Sequence, residues 1–246
     1  MQRVVGRPDL MHMRNFAVPQ LSVVIPVFNE SGNLQPLVSE IECALSGRMR
    51  FEVIVVDDGS DDSTPAEIAG LASARPWLRF ETHPCNRGQS ATIRTGIQSA
   101  DAPVIAVLDG DGQNDPADIP KLFAALTLTG DGMAVGERRN RRDTWSRRLS
   151  SRIANRVRSS LLHDGIRDTG CGLKVFYRDE FLELPAFDHM HRFLPALMQQ
   201  RGRKVRSFPV NHRPRRHGRS KYGIRNRFGA GIVDLLGVMW LRRRQL

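Results

Sequence analysis

The sequence predicts an α/β protein with a mostly parallel central sheet. Short apolar runs alternate with helix-like amphipathic stretches four times between residues 21 and 126. The runs are continuous rather than alternating, as strands buried on both faces are. Several end in turns rich in Asp, Asn and Gly, and in open α/β sheets ligands bind at those carboxyl ends. With 246 residues the chain is long enough for one large α/β domain, or for two small ones.

Residues 1–19 read as a loose basic arm carrying Arg3, Arg7 and Arg14 and ending at Pro19. Leu21-Ser22-Val23-Val24-Ile25-Pro26 is the first buried strand. Ser31 is placed to cap a helix through about Leu45, with Leu34, Leu37, Val38, Ile41 and Leu45 on one face. Val27-Phe28-Asn29-Glu30 is the loop between them. A second strand, Phe51-Glu52-Val53-Ile54-Val55-Val56, ends in Asp57-Asp58-Gly59-Ser60, and Ser63-Thr64-Pro65 restarts a helix with proline in its first turn. The acidic pair suits a ribose- or base-binding carboxylate, and equally a plain turn into a helix. A third strand near Leu78–His83 leads into Asn86-Arg87-Gly88-Gln89-Ser90 and a helix to about Ala100.

The next stretch organises the chain. Val104-Ile105-Ala106-Val107-Leu108 runs into Asp109-Gly110-Asp111-Gly112-Gln113-Asn114-Asp115-Pro116. So short an apolar run fits a buried strand or a buried helix segment, and the glycines argue for the strand. If residues 109–113 stay near-extended, Asp109, Asp111 and Gln113 converge on one side while Gly110 and Gly112 leave room behind. Two carboxylates and an amide oxygen make a hard-cation site with open coordination, the way magnesium or manganese bridges a protein and a phosphorylated ligand. A solvated acidic turn is the simpler alternative, and the position after a buried strand weighs against it. Neither G-x-G-x-x-G nor a P-loop occurs, so neither dinucleotide binding nor an NTPase is supported.

Pro116 restarts a helix through about Leu126, and Met133-Ala134-Val135-Gly136 is a further strand ending in Glu137-Arg138-Arg139. Trp145, Leu149, Ile153, Val157 and Leu161 recur every four residues among arginines, which makes a basic amphipathic helix. It either packs on its own core or lies on an anionic membrane. Asp168 to Tyr177 reads as a glycine-rich loop entering a strand, and Lys204–Val210 as a late strand. Residues 211–223 follow as a mobile cationic loop suited to closing over phosphate groups. The apolar stretch Phe228–Leu241, flanked by arginines, would reach only about 21 Å as a helix, too short to span a bilayer. It suits a membrane interface, a partner subunit, or the domain's own core. The implied division is an arm at 1–19, a main domain at 20–222 and a terminal helix at 223–246.

The formal net charge of +11 is concentrated in residues 138–158 and 201–227, so a polyanion is the expected partner: nucleic acid, anionic membrane or phosphorylated substrate. Cys43, Cys85 and Cys171 lack metal-type spacing and read as reduced thiols in a cytoplasmic protein. The seven histidines give no zinc signal and read as surface or partly buried groups. With no signal-length or spanning run, the expectation is a soluble or peripheral protein.

Taken together, these stretches resemble glycosyltransferase family two, and within it the polyprenyl-phosphate sugar synthases similar to dolichol-phosphate mannosyltransferase. The matching pieces are Val24–Glu30, Val56–Ser60, Asn86–Gly88, Asp109–Gln113, Gly136–Arg138, Gly172–Lys174 and Gly218–Tyr222, in family order. The resemblance implies a GT-A fold, one Rossmann-like domain binding a nucleotide-sugar with Mg2+ or Mn2+, to which the apolar stretch read above would add a C-terminal interfacial helix. At matching positions it implies that Pro26, Phe28, Glu30, Val56 and Asp58 contact the nucleotide beside Asp57, and that Asp109, Asp111 and Gln113 bind the metal. Arg138, Lys174, Arg215 and Lys221 would meet donor diphosphate or acceptor phosphate, the last two on a closing loop; Leu108, Gly110 and Ser220 would also line the substrate. Asp109, Asp111 and Arg138 are the catalytic candidates.

Three positions depart from the family pattern. Phe28 stands where many members have tyrosine, Gly110 and Gly112 replace the commoner alanine and leucine, and Lys174 stands where arginine is common. The implied reaction is inverting transfer of a hexose from GDP-mannose or a UDP-hexose to a polyprenyl phosphate, on the cytoplasmic inner face of the membrane. A separate membrane protein would use the product, because many relatives carry transmembrane helices not found in this sequence; a homo-oligomer is a further expectation. The alternatives are a soluble or polysaccharide acceptor and, more distantly, nucleic-acid binding. Against the last, aromatics are only 7% and no recognition motif occurs.

Overall fold

The computed structural model describes residues 18–138, 161–162, 164–215, 233–241 and 244. The strands are β1 (Leu21–Val27), β2 (Phe51–Asp57), β3 (Leu78–Thr82), β4 (Val104–Val107), β5 (Met133–Arg138), β6 (Lys174–Tyr177) and β7 (Val205–Val210). They form one sheet in the order β3-β2-β1-β4-β6-β5-β7. Only β6 runs against the others, pairing antiparallel with both β4 and β5. The expectation of a mostly parallel sheet holds, and β4 is its middle strand.

Helices α1 (Leu34–Leu45), α2 (Thr64–Ser73), α3 (Gln89–Ser99) and α4 (Ile119–Thr129) connect the first five strands. Alternate side chains of each strand feed two cores. Val23, Ile25, Val53 and Val55 meet α1, α2 and α4 on one face. Val24, Ile54 and Val56 meet α3 and the segments Arg178–Leu182 and Leu194–Gln200 on the other. This double burial is why the strands read as unbroken Val and Ile runs. Ser31 does not cap α1: the helix starts at Leu34 with Asn33 as the flanking residue, and Ser31 Oγ instead lies 2.6 Å from Ser63 Oγ. A 3₁₀ turn, Pro116–Asp118, precedes α4, and Asp115 accepts from Ala117 N at 3.0 Å.

The C-terminal apolar stretch divides its faces. Within helix 233–241, Val238 is buried, and Leu235 and Met239 pack on the second core. Nδ1 of His189 lies 3.0 Å from Asp234 Oδ2. Val233, Leu236 and Trp240 stay exposed, with the Arg244 guanidinium 5.5 Å from the Trp240 ring centre. Completion of the domain's own core is therefore part of this segment's role. Among the described residues no helix is long and apolar enough to cross a membrane. The N-terminal arm before Val18, most of the basic helix predicted from Trp145, and the boundary at 222/223 lie outside the described residues.

Candidate active site

The sheet order reverses beside β1, whose neighbours are β2 and β4. Crevices at such reversals, beyond the strands' carboxyl ends, are where open α/β sheets hold ligands. Three predicted loops meet there: Phe28–Glu30 after β1, Asp57–Ser60 after β2 and the acidic turn after β4.

That turn is not extended. Residues 110–112 bend, Gly112 takes φ 71°, and Gln113 N donates to Asp111 Oδ1 at 3.1 Å. The i, i+2, i+4 alternation expected for Asp109, Asp111 and Gln113 therefore does not apply, because the chain leaves β-geometry at the end of β4. Gln113 directs its amide Nε2 to the Arg213 carbonyl at 3.4 Å. Gly110 leaves no spare room: a Cβ there would lie 2.6 Å from Val27 Cγ1, so the residue is small because the turn packs on β1.

Asp109 and Asp111 nevertheless form an electrostatic pair. Burial first, and the Asp111 charge second, push the Asp109 carboxyl up to about 6. Asp109 Oδ1 accepts a 2.9 Å hydrogen bond from Gln89 Nε2 at the start of α3. A Cβ on Gly172 would fall 2.0 Å from Asp109 Oδ2, so the 170–172 loop closes directly over this carboxylate.

Lys174 departs from the expectation of a phosphate ligand. It sits on β6, 5% exposed, between β4 and β5, and its ammonium donates to the Cys171 carbonyl. Burial pulls its pKa down. Its place is beneath the site, as a buried positive charge acting on Asp109. Arg138 is clamped by Asp168, Nε to Oδ2 at 2.7 Å and Nη2 to Oδ1 at 2.8 Å, which fixes the plane of its guanidinium.

On the other side of the crevice the paired aspartates have different partners. Asp58 uses both oxygens within the protein: Oδ1 meets His83 Nδ1 at 2.7 Å and Arg87 N at 2.9 Å, and Oδ2 meets Gly88 N at 2.9 Å. Asp58 thereby holds the Arg87-Gly88 turn beside the crevice, because those backbone donors are its partners. Asp57 accepts from Ser60 through Oδ1, while its buried Oδ2 has no hydrogen-bond partner among the described residues. Val56 and Leu108 are fully buried in opposite cores, so any ligand contact from them is through the main chain. Pro26 lies in β1 opposite Val56, and Phe28 is half-buried at the strand's end. Glu30 accepts from Asn33 Nδ2 at 2.8 Å.

The segment after β7 forms the third wall. Asn211 N donates to Asp118 Oδ2 at 2.7 Å, Arg213 N to the Gln113 carbonyl at 2.9 Å, and Arg213 Nη2 to Glu40 at 2.6 Å. Residues 211–215 are thus tied to the acidic turn, where the sequence predicts a mobile loop, because they supply donors to its carbonyls and carboxylates. Arg215 reaches Asp111 Oδ2 at 2.9 Å and Glu30 Oε1 at 3.5 Å. Ser220 and Lys221 lie outside the described residues.

Among the described residues no group of three or more His, Cys, Asp or Glu is arranged to hold a metal. The candidate donor set is the two carboxylates alone. It fits a hard dication that completes its coordination with substrate phosphate and water, because positive charge between Asp109 and Asp111 relieves the repulsion that raises the Asp109 pKa.

Sequence reasoning passed over four participants. Gln89 stood within a recognised motif but read as a helix entrance, and Gly172 read as turn glycine. His83 and Asp168 carried no signal, since their partners are 25 and 30 residues away. His83 is 6% exposed, more deeply buried than expected.

Comparison with known proteins agrees with this geometry. The family model described as Glycosyl transferase family 2 matches residues 22–183. A dodecaprenyl-phosphate galacturonate synthase from Rhizobium johnstonii is 37% identical over 235 residues, covering 91% of this chain and 68% of that protein. An undecaprenyl-phosphate 4-deoxy-4-formamido-L-arabinose transferase from Aeromonas hydrophila is 33% identical over 215 residues, covering 86% of this chain and 65% of that one. The chain thus spans about two thirds of the length of these relatives. Among solved structures, glucosyl-3-phosphoglycerate synthase from Mycobacterium tuberculosis, in complex with Mn2+, UDP-glucose and glycerol 3-phosphate, matches with a TM-score of 0.69 at 18% identity. It covers 91% of this chain and 80% of that one, a likeness of fold.

Proposed function

This chain belongs to glycosyltransferase family 2, and on that footing we propose that it transfers a sugar from a nucleoside-diphosphate sugar to a polyprenyl phosphate at a membrane surface. The observation that carries the reading is the Asp109/Asp111 pair at the sheet's reversal point, in a chain similar to enzymes named for polyprenyl-phosphate substrates. A bound Mg2+ or Mn2+ would supply Lewis acidity to the donor diphosphate.

The protein's own groups do the rest. Asp109 and Asp111 would hold the cation; Gln89 and Gly172 set the Asp109 carboxylate between them. Asp57 Oδ2 offers an acceptor to a nucleotide donor group, and Asp58 fixes the adjoining turn. Arg138 faces incoming phosphate with its plane preset by Asp168. Arg215 acts as the counter-ion of Asp111 and Glu30 before substrate enters, then shifts to phosphate. The acceptor phosphate is already anionic at neutral pH, so the cationic groups offset repulsion between acceptor and donor rather than remove a proton. Attack opposite the departing diphosphate inverts the anomeric centre.

The exposed Val233, Leu236 and Trp240 beside Arg244 support attachment at a lipid interface, on the inner face where nucleotide-sugars are made. The test is a donor panel: UDP- and GDP-linked glucose, mannose, galacturonate and 4-deoxy-4-formamido-L-arabinose, each with a short polyprenyl phosphate and Mn2+. One donor yielding an organic-extractable product is expected. Transfer only to water-soluble acceptors would overturn the lipid assignment.

A further inference from the structure

Two lines of contact converge on the first turn of α3. Gln89, its first residue, donates to Asp109 Oδ1 at 2.9 Å. Ser90, the next, is 5% exposed, and its hydroxyl lies 2.7 Å from Nδ1 of His191, a residue 101 positions later in the chain. His191 N donates to the same oxygen at 3.3 Å. His191 therefore grips α3 one residue from the side chain that holds the Asp109 carboxylate.

The grip falls where a helix is weakest. The first turn carries amides with no intrahelical acceptor, and helix ends fray. Gly88 flanks α3 with φ 88° and has no side chain to serve as a cap. Asp58 fixes the Gly88 amide, and His191 fixes the turn itself through Ser90. Gln89 reaches Asp109 on a long, rotamer-rich side chain, so its hydrogen bond depends on where the turn sets its backbone.

His191 stands on a rigid mount. It lies in a 3₁₀ turn, Met190–Arg192, whose Met190 is 1% exposed within the second core. The preceding His189 takes φ 61°, a left-handed conformation that costs a non-glycine residue free energy and persists only where the surroundings hold it. Asp234 of helix 233–241 supplies that hold, its Oδ2 3.0 Å from His189 Nδ1.

We propose that His191 is a positioning residue for the Asp109 carboxylate, acting through Ser90 and Gln89. The inference rests on the sugar-transfer reading and adds to it a residue beyond the span 22–183 that the family model matches. Groups that orient a metal ligand from behind tune both metal affinity and turnover. His191 does so at one remove, by keeping the Gln89 amide on Asp109.

The test is calorimetric Mn2+–UDP binding together with steady-state transfer. His191→Ala should weaken Mn2+ binding in the presence of UDP by about tenfold and lower kcat by at least about tenfold. UDP affinity measured in chelator should stay within about twofold, because Asp58 holds the Arg87-Gly88 turn independently of Ser90. Ser90→Ala should reproduce both losses and keeps the test intact if His191→Ala fails to fold. His191→Asn, whose amide can place a polar atom near the position of Nδ1, should restore most of the Mn2+ affinity. In a Gln89→Ala background, His191→Ala should weaken Mn2+ binding by less than about twofold further, the non-additivity expected of groups acting in series. Wild-type Mn2+ affinity in His191→Ala, a fully additive loss in the Gln89→Ala background, or an asparagine variant no better than alanine would each overturn the proposal. Wild type that binds no Mn2+–UDP would overturn the transferase reading along with it, whereas wild type that binds it normally while His191→Ala binds equally well overturns the positioning role alone.

Discussion

Gly172 lies so close to Asp109 that a Cβ at position 172 would stand 2.0 Å from the carboxylate Oδ2. The neighbour is a half-buried side chain that Gln89 holds from the other side, so it has little freedom to withdraw. Gly172→Ala should lower transfer by about 100-fold, the scale expected when a reacting group is displaced by about an ångström. Steady-state kinetics with calorimetric Mn2+ binding check this, and a variant with wild-type values would show that Asp109 is not held as described.

Asp109 makes the stability of the metal-free protein depend on pH in an unusual sense. Its folded pKa, about 6, lies above the ordinary 3.8, so the native state holds a proton that the unfolded chain releases. Its stabilising contribution is complete below about pH 4 and declines as pH rises through about 6, by on the order of 3 kcal/mol. Asp109→Asn removes this slope. Thermal melts in chelator from pH 4.5 to 7.5 should show the asparagine variant more stable than wild type at the upper end, yet inactive.

Asp57 and Asp58 should separate function from stability. Asp58→Ala strands the Arg87 and Gly88 amides and the His83 ring, and should cost about 2–4 kcal/mol in denaturant unfolding. Asp57→Asn leaves those contacts alone and should weaken UDP binding by about tenfold while changing stability by less than about 1 kcal/mol. Equal destabilisation by both would remove the distinction.

Arg215 competes with the cation for Asp111. Arg215→Gln should tighten Mn2+ binding in the absence of nucleotide by several-fold and reduce turnover by at least about tenfold, because the same group is needed on phosphate. Weaker Mn2+ binding in this variant would argue that Arg215 supports the site without competing for it.

The parallel sheet was legible because β1, β2 and β4 are buried on both faces and carry unbroken Val and Ile runs that few other environments select. The acidic turn was legible as a motif, but its shape was not. Gly112 adopts a left-handed conformation, and the packing of Gly110 on Val27 depends on how β1 and β4 pair, neither of which local spacing encodes. Lys174 was expected to meet phosphate because it stands at a matching position of the family, after a glycine-rich turn. Its burial comes from β6 inserting antiparallel between β4 and β5, a long-range event. The anchoring of residues 211–215 was hidden for the same reason, since Asn211 and Arg213 find their partners about a hundred residues earlier.

The central claim is metal-dependent sugar transfer to a lipid phosphate, and it is tested most directly by following radiolabelled sugar into an organic-extractable product. Wild type and Asp111→Ala would be compared with the active donor, with and without polyprenyl phosphate, in Mn2+ and in chelator. Label should enter the organic phase only with wild type, lipid phosphate and metal together. Comparable label from Asp111→Ala in Mn2+, or from wild type without lipid phosphate, would contradict the assignment of the acidic turn or of the acceptor, respectively.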